Sequence, residues 1–133
     1  MKLRNLSSWT MFIFGMLALA LGAVGLASPE TTLSLLNFDV IERADRASGD
    51  YSVVFLTASS MASFNMGVYY VLASLNNIKQ FYTWTVPFRM LTFAVFTFAV
   101  VSGTAPQGFI GVAVWELVGA LATGFALWRE RGQ

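Results

Sequence analysis

The chain has no cysteine and no histidine among its 133 residues, and only 11% of them are charged. Without thiol or imidazole there can be no disulfide, no thiolate nucleophile, no haem or zinc site built on sulfur or imidazole, and no catalytic dyad that needs an imidazole base. The missing cysteine carries no information on redox compartment, because no bridge could form in any compartment. Eight basic residues against seven acidic ones leave a formal net charge of +1. That balance supplies no polybasic surface for a nucleic-acid backbone, so nucleic acid is excluded as an expected partner. What the chain does have is apolar surface. At 56% hydrophobic residues it is too apolar for a soluble fold of this length and reads as a single domain in a lipid bilayer.

Four apolar runs, residues 9–28, 51–76, 86–103 and 108–128, are each about long enough to span, since ~20 helical residues rise ~30 Å, the thickness of the hydrocarbon core. In the first run, Ser7 and Ser8 read as N-caps and Trp9 as an anchor at the headgroup level. Gly15, Ala18, Gly22 and Gly25 form one narrow stripe of small residues where another helix backbone can approach. A second reading of the same segment is a cleaved signal peptide, with Lys2 and Arg4 as its basic region and Gly25-Leu26-Ala27 as the cleavage site. Against it, the run exceeds the ~7–15 residues of a signal core.

Residues 29–50 carry two basic side chains against five acidic ones, a net of −3 that keeps the segment in water. Ser28-Pro29-Glu30 has the chemistry of a helix start. Leu33, Leu36, Phe38 and Ile41 are too apolar for free loop, so short helical pieces are expected there, either as a lid over a cavity or as a packed connector.

The second run is the most polar of the four and shows hydroxyls on both sides, which predicts that its helix is the most enclosed. Most of those hydroxyls can bond carbonyls of their own helix. Asn65 is different, because its amide needs outside partners at membrane depth, worth ~1 kcal/mol each. Asn65 and Tyr69 share a face, as helix-pairing groups or as ligand contacts.

Residues 77–85 read as a turn, with Phe81, Tyr82 and Trp84 forming an interfacial belt. On that reading Pro87 opens the third helix, where no amide bond is lost. Arg89 then lies one turn inside, snorkelling to the headgroups or turned inward over an aromatic wall that includes Phe96. Placing both termini in the cytoplasm puts six of the eight basic residues, Lys2, Arg4, Lys79, Arg89, Arg129 and Arg131, on that side.

Glu116 is the only carboxylate set deep in an apolar run. It shares a helical face with Ala113, Gly119, Ala120 and Thr123, so it faces protein, and that small-residue face is expected to meet the glycine stripe of the first helix. With the third helix starting at residue 86, Arg89 lies ~13 Å from Glu116 along the membrane normal. A direct pair is therefore not expected, and a neutral Glu116 bonded to hydroxyls is the alternative. An ionisable group at this depth costs a few kcal/mol on the insertion scales, and by default it marks a function.

Gly67-Val68-Tyr69-Tyr70, Trp84-Thr85-Val86-Pro87-Phe88-Arg89 and Trp115-Glu116-Leu117-Val118-Gly119-Ala120, in four short spans with one long outer loop, resemble the DoxX-like and BphX-like small bacterial membrane proteins. The resemblance covers roughly the last half of the chain. It implies a compact antiparallel four-helix bundle, often accessory, and gives no catalytic residues. Small multidrug exporters also have four spans and an embedded glutamate, but theirs sits in the first span, where this chain has none.

The sequence thus reads as an all-α, multi-pass protein of the cell (inner) membrane: an antiparallel four-helix bundle with cytoplasmic termini. Its expected role is to hold a small apolar ligand or a membrane protein partner in a pocket at Glu116, Asn65, Tyr69, Phe96 and Arg89. The alternative is a proton-linked small transporter working as a homo-oligomer, with Glu116 as the titrating group. An enzyme with Glu116 as acid or base ranks third. No cofactor, metal ligand or catalytic residue is assigned, because two-carboxylate mechanisms and carboxylate metal cages need a second acid within the spans.

Overall fold

A computed structural model describes residue 3 and residues 5–132. Lys2 and Arg4, counted in the charge balance, lie outside the described residues. Among those described the fold is all-helical: α1 (Leu6–Ala27), α2 (Pro29–Leu35), α3 (Ser52–Leu75), α4 (Lys79–Val101) and α5 (Ile110–Glu130), with 3₁₀ turns at Arg43–Asp45 and Gln107–Phe109. Three helical segments, Leu6–Ala27, Lys79–Val101 and Gln107–Glu130, are long and apolar enough to cross a membrane. The fourth long helix, α3, falls outside that set; its serines, Asn65 and two tyrosines lower its hydropathy.

The ends of these helices follow local chemistry. The α1 cap is Asn5, whose Oδ1 accepts the Ser8 amide at 2.9 Å, rather than Ser7 or Ser8. Both serines are instead buried. Ser28 caps α2 as expected, with Pro29 in the first turn. Asp50 accepts both the amide and the hydroxyl of Ser52 at the start of α3. Those bonds, the hydroxyl's first, hold its carboxyl below the ordinary range.

Asn77, at φ 53°, ends α3 in the left-handed conformation. The amides of Asn77 and Ile78 there return to the carbonyls of Ser74 and Ala73. This closed cap lets α4 begin at Lys79, so residues 79–85 are helix, not turn. Tyr82 is consequently buried rather than part of an interfacial belt. Pro87 lies inside α4 rather than in its first turn.

Helix α1 is the centre of the packing: α3 covers one side of it, α5 another, and α4 packs on α5. The glycine stripe faces α3, not α5 as its matching spacing suggested. A Cβ on Gly22 would sit 2.5 Å from the Phe64 amide nitrogen, and one on Gly15 would sit 2.8 Å from the Tyr70 Cβ. Gly67 of α3 returns the approach against Leu19 and the Gly15 carbonyl. With no side chains between them, the two backbones are close enough for Ser63 Oγ to donate to the Ala18 carbonyl at 2.9 Å. The small face of α5 meets the other side of α1, where Thr123 bonds Thr10 at 3.2 Å.

The packing leaves α3 at an edge rather than enclosed. Its buried residues are confined to the strip Ser60, Gly67, Tyr70, Ala73 and Ser74. Many of its hydroxyls serve their own helix, as when Thr57 donates to the Val53 carbonyl at 2.8 Å. Although joined by a tight turn, α3 and α4 scarcely touch, and a gap opens between them.

The connector between α1 and α3 contains short helical pieces, as expected: α2 and the 3₁₀ turn. It is tied down by Arg43–Glu30 and Arg46–Asp50 ion pairs at 2.8 and 2.9 Å. The Arg43 bond lowers the Glu30 carboxyl pKa.

Candidate functional site

The gap between α3 and α4 is a cleft of about 630 Å³. Its floor is Phe14 and Ala18 of α1 with Trp115 and Glu116 of α5; its walls include Ser63, Met66 and Tyr70 of α3 and Trp84, Phe88, Thr92 and Phe96 of α4. That volume falls within the ~300–1,000 Å³ typical of small-molecule sites, and the lining is mostly apolar and aromatic, as such sites are.

Arg89 and Glu116 meet on the floor. Arg89 Nε donates to Glu116 Oε2 at 2.9 Å, with side-chain exposures of 6% and 22%. This overturns the expected separation of ~13 Å, because α4 starts seven residues earlier than the proline suggested, worth ~10 Å of helical rise. Arg89 thus sits at the middle of its helix rather than one turn from an end. Glu116 pairs with a cation of α4 rather than with hydroxyls, and it is not enclosed between α1 and α5.

The lodging of the guanidinium follows from three neighbours. It lies against Gly119, one turn beyond Glu116, where a Cβ would overlap it. Phe14 presents its ring face 4.5 Å from the guanidinium carbon, and Tyr70 stands at 5.9 Å. Phe14 in turn is held edge-on by Trp115, ring centres 4.7 Å apart. Cation–π contact of this kind contributes ~0.5–2 kcal/mol, the more where water is excluded.

The pair is nonetheless under-bonded. A guanidinium has five N–H donors. Among the described residues only Nε finds an acceptor, and Nη1 is buried with no partner. A desolvated charged donor left unpaired costs more than a neutral one.

Of the residues singled out from the sequence, Glu116, Arg89 and Phe96 come together here. Asn65 and Tyr69 do not: both lie on the exposed face of α3, with Tyr69 56% exposed. Their shared face is correct, but it points away from the cleft. The residues missed were Phe14, Tyr70, Trp115 and Gly119. A signal for two of them was present, since Gly119 shares the Glu116 face and Tyr70 the Gly67 face.

A second polar cluster lies where the start of α1, the α3–α4 turn and the end of α5 meet. Glu130 accepts the Ser7 amide at 2.7 Å, the Ser7 hydroxyl at 2.9 Å and Lys79 at 2.9 Å. Asn5 donates to the Asn77 side chain at 3.0 Å, and the buried Tyr82 hydroxyl donates to the Ala73 carbonyl at 2.9 Å. These bonds tie three chain segments together around well-satisfied groups.

Among the described residues, no group of three or more acidic side chains converges to hold a metal ion. No protein-family model, curated protein or solved structure matches this chain.

Proposed function

We propose that the chain is a four-helix integral membrane protein, with both termini in the cytoplasm and α2 with the acidic connector outside, that holds a small lipid-soluble molecule in the α3–α4 cleft. The observation that carries this reading is the under-bonded Arg89–Glu116 pair on the floor of an aromatic cleft. Charged groups at mid-span are costly and are retained where they recognise something. The DoxX-like resemblance agrees with an accessory role and assigns no reaction. The transporter reading uses the same Glu116, which here is already engaged by Arg89 at 2.9 Å.

Two measurements test the proposal. Because the chain has no cysteine, single cysteines can be placed without preparing a background. A cysteine at Ser48 should react with an impermeant maleimide from outside the cell, and one at Gly132 should react only after the membrane is opened. The reverse pattern refutes the topology.

For the cleft, Ala62→Trp should fill it from the wall without entering a helix contact, since Ala62 is exposed and lines it. Mass spectrometry of gently extracted protein should find a small molecule that accompanies the parent and is absent from this variant. If none accompanies the parent, or it persists unchanged in Ala62→Trp, the cleft is not the site. Proton-coupled uptake in proteoliposomes that vanishes in Glu116→Gln would favour transport instead.

A further inference from the structure

We infer that the ligand is an uncharged, lipid-soluble carbonyl compound whose oxygen accepts from the free face of Arg89; this rests on the binding reading above. Nη1 is sealed against Gly119, but Nη2 is not sealed and has no acceptor among the described residues; it requires an acceptor rather than a donor, because a guanidinium has no lone pair to offer. Charge then chooses among acceptors. Glu116 already neutralises Arg89 at 2.9 Å, so a carboxylate or phosphate would bring a second negative charge to a corner that holds one positive charge. In a low-dielectric site that excess is unfavourable, whereas a carbonyl completes the hydrogen bonding and adds no charge.

Depth points the same way. Arg89 lies ~15 Å from Lys79 by helical rise, near mid-span, well below the zone where lipid headgroups and their esters reside. The occupant must therefore reach the hydrocarbon core whole, carrying its oxygen with it. Phe14 and Tyr70 lie beside the donor, with Trp115 edge-on to Phe14, which suits a flat conjugated carbonyl end with an apolar body along Met66 and Phe88.

The test compares three probes by equilibrium dialysis against the full chain in phosphatidylcholine nanodiscs, corrected for partition into empty discs: nonanophenone, nonylbenzene and dodecanoate. Nonanophenone should bind about tenfold or more tightly than nonylbenzene, the difference expected for a hydrogen bond from a charged donor, and more tightly than dodecanoate at pH 8. In the double variant Arg89→Met with Glu116→Leu, which leaves no orphaned charge, the ketone preference should collapse to near one. Equal binding of ketone and alkylbenzene, or tighter binding of dodecanoate, overturns the inference while leaving the cleft a binding site. A ketone preference that survives in the double variant also overturns it. If no probe binds above the empty discs, the binding reading itself falls with it.

Discussion

Glu116 and Glu130 stand on the same helix, and each meets a basic side chain of α4 at 2.9 Å. At Glu130 the carboxylate also accepts two bonds from Ser7, and the groups around it bind one another. At Glu116 the carboxylate has, among the described residues, one partner, and that partner has a buried donor with none. Distance alone does not separate a fastening from a site; the count of satisfied donors and acceptors does. A fully bonded cluster fixes geometry, while an under-bonded one in a cleft keeps recognition capacity in reserve.

Breaking the two pairs should expose that difference. The largest effect is expected for Arg89→Ala, which strands Glu116: a loss of ~3–5 kcal/mol, read from unfolding in mixed micelles. The double replacement Arg89→Met with Glu116→Leu should return to within about 1 kcal/mol of the parent or exceed it, because apolar groups substitute well for a buried pair. If Arg89→Ala is no less stable than the parent, the pair carries no buried charge and the comparison fails. At the other end, Glu130→Ala should cost ~1–3 kcal/mol through the Ser7 donors it leaves unmet. Lys79→Ala should cost under ~1 kcal/mol, since Lys79 is 48% exposed and its attraction is screened. A loss at Lys79 equal to that at Glu130 would show that charge, not hydrogen bonding, holds this end.

The smallest effect concerns a carboxylate in water. The Asp50 pKa is lowered below its ordinary 3.8 chiefly by the Ser52 hydroxyl. A lowered folded pKa means its cap on α3 is fully present above 3.8 and is lost as pH falls through the folded value. Hydrogen exchange at the Ser52 amide should therefore show protection held down to about pH 4 and lost in stronger acid, and Asp50→Asn should flatten that dependence. Protection lost already near pH 6 would point to another group.

Four long helices were legible from runs of ~20 largely apolar residues, three of which form segments long and apolar enough to cross a membrane. Their pairing was not legible. The Gly15, Gly22 and Gly25 stripe and the Ala113, Ala120 and Thr123 face have matching spacings, yet small residues permit close approach without naming the partner, and Gly67 with Ser63 offered α1 a closer one. The site was half legible. Glu116 stood out as a lone acid, but its pairing with Arg89 depended on where α4 begins. There Pro87 was a misleading marker: a proline fits the first turn best, and α4 instead accommodates it mid-helix. Moving that start to Lys79 carried Arg89 deep enough to meet the acid.

Because α3 and α4 scarcely touch, the cleft between them is lined on the helix flanks by exposed side chains, Met66 and Phe88 among them. A guest would arrive edgewise from among the acyl chains without passing through water. Its occupancy would then follow its mole fraction in the membrane, so dilution with extra lipid should empty the site even while the aqueous concentration of the guest is held constant.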